Sequence, residues 1–324
     1  MIFAQISSKE EHGGRTMSLD KVLYNFARKG MLPTMKGYVG SGPISMDSEG
    51  RMVKTGVGRE FFVSNNFGVD TNDGSSWDKA FKTLAAAVTA NNADIAADKY
   101  GWDSRNRIYL TSGPTTEDLV AFPDKCDVIG VGSYNANVKP GITGNHVPVN
   151  TGNYGTRFIN IWFQAPADAS PIVTLASTTS GCQFIDCTFS AKATTTIGIQ
   201  TTASPFLKVY GCRFEGAFAT SFITFGAGES GGTEIIGNLM VDGADNGIVA
   251  PDTVTASWAN VIAHNLIQCA DLTIDDDGDL FLIYNNILIS GENVGAGSYD
   301  FGATKSAVNY VTGADKTSVI PALT

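Results

Sequence analysis

The chain has 324 residues, of which 43% are hydrophobic and 17% are charged, proportions of an ordered protein rather than a disordered or fibrous one. The net charge of −10 is unevenly spread, since residues 1–60 hold 9 Lys and Arg against 6 Asp and Glu, whereas residues 61–324 hold 13 against 26. An acidic body argues against nucleic-acid binding, and the lack of any run of about 18 apolar residues argues against insertion in a membrane.

Residues 1–60 are predicted to form a leader, or docking arm, separate from the body. A short amphipathic helix is expected over Met17–Gly30, with Ser18 as its N-cap. Its apolar face needs a cover, which could be the body of the same chain or a partner subunit; the leader could also be a solvated tail. That face consists of Leu19, Val22, Leu23 and Phe26.

From Phe61 the sequence predicts a short strand, a turn-rich loop and a helix over about 78–90. The loop and helix carry a recognisable motif, formed by Val63-Ser64, Gly68, Asp70, Asn72, Gly74 to Ser76 and Phe81 to Leu84. This motif resembles the opening of right-handed parallel β-helix proteins of the pectate-lyase-like superfamily.

The resemblance, together with repeats further along, covers roughly residues 61–300. It implies an all-β, single-stranded, right-handed parallel β-helix solenoid whose N-terminal end is capped by the helix, with 301–324 as a closing segment. It does not specify an activity, because the superfamily includes lyases, glycoside hydrolases, bacteriophage tail spikes and virion proteins without catalysis.

Two segments after the helix, 107–113 and 126–133, have the pattern of the first strands of such a stack. Residues 134–156, rich in Asn, Gly and Pro, are predicted to leave the stack as a surface loop.

A short phrase then recurs as FINIWF, FIDCTF, VYGCRF, IIGNLM, IAHNLI and IYNNIL, with steps of 26, 25, 26, 27 and 21 residues. Each copy predicts two short strands that meet at a tight bend. Asn suits a bend because it tolerates left-handed backbone. Stacking would place the bend residues in one structural column: Ile161, Cys187, Cys212, Asn238, Asn265 and Asn286.

Successive side chains of a strand point to opposite faces of the sheet, so the residues after each column residue fall into an outer row and an inner row. The inner row should be Phe163, Phe189, Phe214, Met240, Ile267 and Leu288, and the outer row Trp162, Thr188, Arg213, Leu239, Leu266 and Ile287. Outward Trp162, Leu239, Leu266 and Ile287 predict an interface. The resemblance to bacteriophage β-helix proteins implies a homotrimer as the assembly. The alternative is a register error that places core residues outside.

Glu215 and Asp242, with Asp186 one turn earlier, form the best catalytic candidate in the repeats. A hydrolase needs two carboxylates about 5–5.5 Å or about 6.5–9.5 Å apart, and neighbouring strands could provide that. A lyase needs a base, and only Arg213 lies beside these acids. Solvated or structural acids are the alternative.

No cofactor is expected, with calcium as the one alternative. Asp275, Asp277 and Asp279 surround a predicted Asp-Gly turn that could bind calcium or simply be solvated. The five cysteines have no metal-binding spacing, and Cys187 and Cys212 are predicted to be buried thiols.

These observations predict a structural bacteriophage virion protein, a capsid decoration or spike component that docks to other virion proteins through residues 1–60. Absence of a signal peptide predicts synthesis in the host cytoplasm and residence in the virion. The alternative is a tail-spike depolymerase, a hydrolase or lyase acting on host surface polysaccharide. Trp162 is the one aromatic residue predicted to point outward from the repeats, which favours the structural function.

Overall fold

The computed structural model describes residues 44–46, 52–54, 57–97, 105–111, 113–132, 139–149, 155–166, 170–192, 195–241, 243–251, 253–277, 281–290, 306–307 and 309–312. The chain divides into two compact units, Met1–Gly58 and Arg59–Thr324. The helix predicted over Met17–Gly30 lies outside the described residues.

The described residues are mainly β-strands, with one α-helix, α1, at Leu84–Ala96. In chain order the strands are β1 Ile44–Met46, β2 Met52–Lys54, β3 Val57–Val63, β4 Arg105–Thr111, β5 Gly113–Thr116, β6 Cys126–Val131, β7 Pro140–Thr143, β8 Arg157–Ile159, β9 Trp162–Gln164, β10 Val173–Leu175, β11 Gln183–Ile185, β12 Thr188–Ser190, β13 Ile197–Thr202, β14 Lys208–Tyr210, β15 Arg213–Glu215, β16 Ser221–Gly226, β17 Gly228–Glu229, β18 Glu234–Ile236, β19 Leu239–Met240, β20 Asn246–Ala250, β21 Val254–Thr255, β22 Asn260–Ala263, β23 Leu266–Cys269, β24 Ile274–Asp276, β25 Phe281–Tyr284, β26 Ile287–Ser290, β27 Ser306–Ala307 and β28 Tyr310–Thr312.

Three large sheets organise these strands in the described part of the chain. The first sheet has the order β27-β25-β22-β18-β14-β11-β8-β6-β4-β3, the second β28-β26-β23-β19-β15-β12-β9-β7-β5, and the third β10-β13-β16-β20-β24. From β8 to β24 the chain visits the first, second and third sheets in turn, and each new strand of these sheets pairs in parallel with its counterpart one turn earlier. Within this range β17 and β21 pair with each other in a separate two-stranded sheet. The fold is therefore all-β with stacked parallel sheets, compatible with a parallel β-helix.

Inward residues of neighbouring turns stack in the core. Phe163, Phe189 and Phe214 of the second sheet are fully buried, and their rings stack with centroids 5.0 Å and 4.7 Å apart. Phe158 and Phe184 of the first sheet stack at 5.5 Å. Because apolar residues occupy the same position on successive turns, the repeat builds a continuous core row, which is aromatic on these turns.

The helix begins later than its sequence predicts, at Leu84 rather than near residue 78. A short 3₁₀ turn fills Trp77–Lys79, and the Phe81 backbone N–H then donates to the Phe62 carbonyl at 2.9 Å. This pairing keeps the segment extended until Thr83, whose Oγ1 accepts from the Ala86 N–H. Glu117 accepts from the first backbone N–H groups of α1, which satisfies donors that the helix cannot pair itself.

One prediction about the strands was wrong, and one sheet was not predicted. Pro140–Thr143, placed in a surface loop, is strand β7 of the second sheet and pairs with β5 and β9. Its Pro140 stands at the first position of the strand, where proline is tolerated, and Gly141 is required because a Cβ there would lie 2.6 Å from the Trp162 carbonyl oxygen. The third sheet was missed, since each copy of the repeat was expected to contain two strands.

Candidate functional site

Buried asparagines form a hydrogen-bonded ladder at the bend between the first and second sheets. The backbone N–H and the Nδ2 of Asn238 both donate to Asn265 Oδ1 at 2.9 Å, and Asn265 makes the same two bonds to Asn286 Oδ1, at 3.0 and 2.9 Å. Asn286 continues to Asn309, which the repeat had not identified. Every side chain of this ladder is committed to neighbouring turns, so the column is internal.

The left-handed backbone falls one residue before the column, not on the asparagines as expected. Asn160, Asp186, His264 and Asn285 have φ between 52° and 57° at this position, and glycines occupy it on the two remaining turns. The column side chain must point inward to reach the next turn. The strained conformation is therefore left to a residue that faces solvent.

The thiols in the column are inert. Cys187 Sγ donates to the Phe158 carbonyl at 3.3 Å, and Cys212 Sγ donates to the Phe184 carbonyl at 3.4 Å. Burial, followed by the neighbouring Cys187, raises the pKa of Cys212. All five cysteines of the chain are free and buried.

The second-sheet row is the set of outward residues that follows the column. Leu239 aligns with Leu266, and Leu266 aligns with Ile287, so three aliphatic side chains lie side by side on the outer face. Leu239 and Leu266 are half-buried and Ile287 is 42% exposed. The inward residue that directly follows each of them along the chain is fully buried. Trp162 begins the same row and aligns with Thr188.

A polar chain crosses the N-terminal part of this face. Trp162 Nε1 donates to Ser190 Oγ at 2.7 Å, and Ser190 Oγ donates to Glu215 Oε1 at 2.9 Å. Arg213 Nε donates to the other oxygen of Glu215 at 2.6 Å, and Lys139 Nζ lies 5.5 Å from the Trp162 ring. Both oxygens of Glu215 thus have partners on its own face.

The other two catalytic candidates make no hydrogen bond to Glu215 among the contacts described above. Asp186 occupies the exposed left-handed position of a bend, four residues before Ser190, the strand partner of Glu215. Asp186 thus stands at the bend, whereas Glu215 lies at the end of strand β15 in the second sheet. Asp242 lies outside the described residues.

The sequence analysis missed a second apolar row on the outer face of the first sheet. The first-sheet row consists of aligned outward residues on successive strands, which are Tyr109, Ile129, Ile159, Ile185, Tyr210 and Ile236. Each is half-buried. The signal was present in the repeat, because Ile159, Ile185, Tyr210 and Ile236 all stand two positions before the column residue.

Ion pairs line one side of the first-sheet row. Asp127 accepts from Arg157 through both oxygens at 2.7 Å and from Arg105 at 2.7 Å. Burial would raise the pKa of Asp127, but these two guanidinium groups outweigh it and lower the pKa. Further along, Lys208 and the Tyr210 hydroxyl both donate to Glu234. These partners hold the charged side chains beside the row, and the row itself contains no charged residue.

Trp162 is not the one outward aromatic residue. Tyr109 and Tyr210 lie in the first-sheet row, and Phe206 and Trp258, 40% and 61% exposed, lie 6.0 Å apart at another bend. Tyr109, Phe206 and Trp258 were missed because they fall outside the recurring phrase, whereas Tyr210 lies within the copy VYGCRF and was not recognised there.

The acidic run near residue 275 does not form a metal cage in the described residues. Asp275 is half-buried and Asp277 exposed, while Asp279 lies outside the described part. Between them Asp276 is fully buried and accepts from the Phe281 backbone N–H at 3.1 Å. Among described residues, no group of three or more His, Cys, Asp or Glu side chains is placed to hold a metal ion.

No helix in the described part of the chain has the length and apolar character needed to cross a membrane. Comparisons of the chain with protein-family models, with curated proteins and with solved structures found no match. The functional argument therefore depends on the surfaces described above.

Proposed function

We propose that this chain is a structural component of a bacteriophage virion, a capsid decoration or spike protein that self-associates into a homotrimer. The observation that carries the proposal is the second-sheet row, in which Leu239, Leu266 and Ile287 stand side by side on the outer face. Contiguous apolar side chains on an outer face are typical of an interface. A rigid stack of parallel strands suits a part that is built for display.

In this proposal the stack is a right-handed β-helix solenoid, and α1 caps its N-terminal end. Support for the cap comes from Leu84, Ala87 and Val88, which are buried members of the main hydrophobic core. Residues 1–60 attach the protein to other virion proteins. Flanking capsid or tail genes in the source genome would support this placement, and a neighbourhood of secreted sugar-degrading enzymes would contradict it.

Self-association is tested by light scattering on Leu239→Lys/Leu266→Lys. We expect the unaltered protein to have about three times the 34.2 kDa mass of one chain and the double variant to have the mass of one chain, because buried lysines at the contact cost several kcal/mol. Thr224→Lys, on the outer face of the third sheet, is the matched control and should keep the full mass. A monomeric unaltered protein, or an unchanged mass in the double variant, would refute the trimer.

A second candidate is a polysaccharide-degrading tail spike, a hydrolase or lyase acting on host surface glycans. The polar chain from Trp162 to Glu215 and Arg213 favours it, since a carboxylate beside an outward aromatic ring suits a sugar ring. Incubation with acidic and neutral polysaccharides, with and without calcium, tests it. Release of oligosaccharides that Glu215→Gln abolishes and Glu229→Gln retains would establish the enzyme in place of the structural function.

A further inference from the structure

The outer faces of the three sheets differ in chemistry. The first-sheet row contains no charged residue in a chain where 17% of residues are charged. The corresponding outward row of the third sheet is mostly polar: Thr174, Gln200, Thr224, Val249 and Asp275. The first-sheet row and the aliphatic part of the second-sheet row are thus apolar, while the row on the third sheet suits water.

The spacing of the first-sheet row restricts what can cover it. Its six side chains stand on successive strands, about 4.8 Å apart, so the row is roughly 24 Å long. An α-helix repeats about every 5.4 Å and would fall out of step by roughly half a repeat over that length. A second row with the same strand spacing stays in step throughout, and the second-sheet row of another copy has that spacing.

Charge also favours a second copy that docks along this row. Residues 61–324 carry 13 Lys and Arg against 26 Asp and Glu, so two copies repel wherever charged surfaces meet. The first-sheet row contains no charged residue, so its own side chains add no electrostatic repulsion when a second copy docks along it. In the second-sheet row, the one charged residue among Trp162, Thr188, Arg213, Leu239, Leu266 and Ile287 is Arg213, whose charge is already paired with Glu215.

We propose that the first-sheet row receives the second-sheet row of a neighbouring copy. The contact is head-to-tail, because it joins two different patches of the two copies. Such contacts close into a ring when the rotation that relates neighbouring copies returns to the first copy. Each copy then buries its first and second sheets against two neighbours, and its third sheet faces solvent. This inference rests on the self-association proposed above and adds the partner surface that the second-sheet row needs.

Cross-linking between introduced cysteines tests the pairing directly. Ile236→Cys is in the first-sheet row and Leu239→Cys in the second-sheet row, and the native cysteines are all buried. When the two variants are co-expressed and treated with a short bismaleimide, we expect cross-linked dimers of one chain of each kind. Neither variant alone should cross-link, because like positions do not meet in a head-to-tail contact. Cross-linking of either variant alone, or none in the mixture, would overturn the pairing.

A charge variant separates this inference from the trimer proposal. Ile236→Lys should reduce the mass to that of one chain, and Thr224→Lys should not; circular dichroism of each confirms the strand content. A monomeric unaltered protein would overturn both proposals. If Leu239→Lys/Leu266→Lys dissociates the assembly and Ile236→Lys leaves it intact, self-association stands and the first-sheet contact is refuted.

Discussion

At each bend between the first and second sheets, the column residue and the residue before it have different structural roles. Asn285 takes the left-handed backbone at the surface, with φ of 53°, while Asn286 points inward and joins the ladder. The two are the same amino acid, so their difference arises from position alone. The inner residue saturates buried backbone groups, and its neighbour lets the chain turn.

Replacing Asn265 by Leu should cost at least about 3 kcal/mol of unfolding free energy, since each buried polar group left without a partner costs about 1–3 kcal/mol. The change removes the acceptor for two donors of Asn238 and the Nδ2 group that donates to Asn286 and to the Ile235 carbonyl, while the backbone N–H of residue 265 remains. Denaturant unfolding measures it. The control Asn285→Gly keeps a residue that tolerates the left-handed backbone and should stay within about 0.5 kcal/mol. Equal losses in both variants would contradict the ladder's role.

The free energy of unfolding is expected to depend on pH through His146. It is fully buried, its Nδ1 accepts from the Leu119 N–H at 3.2 Å, and its ring lies against Phe163. Burial lowers its pKa to about 4, against the opposing charge of Asp118. On acidification, His146 therefore takes up a proton near pH 6.5 in the unfolded chain but only near pH 4 in the folded protein. The stabilisation is complete above pH 6.5 and declines on acidification to pH 4, by roughly 3 kcal/mol.

Denaturant midpoints at pH 7, 5.5 and 4 measure this loss in the unaltered protein and in His146→Gln. The variant cannot titrate in this range, so its midpoint should fall less than that of the unaltered protein. Parallel decreases in the two proteins would assign the acid sensitivity to other groups.

At the scale of elements, the strands are short, and most contain only a few residues. Their stability comes from stacking between turns, where Phe189 lies between Phe163 and Phe214 at centroid distances of 5.0 and 4.7 Å. Loss of one ring therefore affects three turns. This coupling to nearest neighbours is typical of repeat architectures.

Phe189→Ala should lower the unfolding free energy by about 3–5 kcal/mol, through lost burial and the cavity left behind. Phe67→Ala is the matched control, because Phe67 is 59% exposed and should cost less than about 1 kcal/mol. Thermal and denaturant unfolding compare the two. Similar losses would mean that the ring stack does not support neighbouring turns.

At the scale of the molecule, two apolar rows and one polar row coexist with a net charge of −10. Association through the apolar rows works against electrostatic repulsion between copies, while ion pairs such as Arg157 with Asp127 stay within one chain. The sign of the salt effect therefore reports which interaction holds the assembly together.

Raising NaCl from about 0.01 M to about 1 M shortens the screening length from about 30 Å to about 3 Å. Because the repulsion is screened and the apolar contact is not, we expect the dissociation constant of the assembly to fall as salt rises. Sedimentation over a protein dilution series measures it. Dissociation on adding salt would indicate that charged pairs between copies hold the assembly.

The sequence by itself determined the stack of parallel strands, its column and its inner row. These follow from a repeat near 26 residues and from strand alternation, both of which are visible in Cys187, Cys212 and the asparagines after them. Both signals are local and act identically on every turn, so no long-range information was needed. The same alternation also contained the first-sheet row, although it was not recognised there.

Only the tertiary structure decided which bend residue is left-handed, that Pro140–Thr143 is a strand, and that a third sheet exists. It also placed Asp186 at a left-handed bend and joined Glu215 to Ser190 and Arg213. Each of these depends on which turn lies beside which, since a side chain's partner comes from a residue about one repeat away. The sequence shows the period of the repeat. Several conformations of the bends and side chains are compatible with that period, and the contacts between turns decide which of them forms.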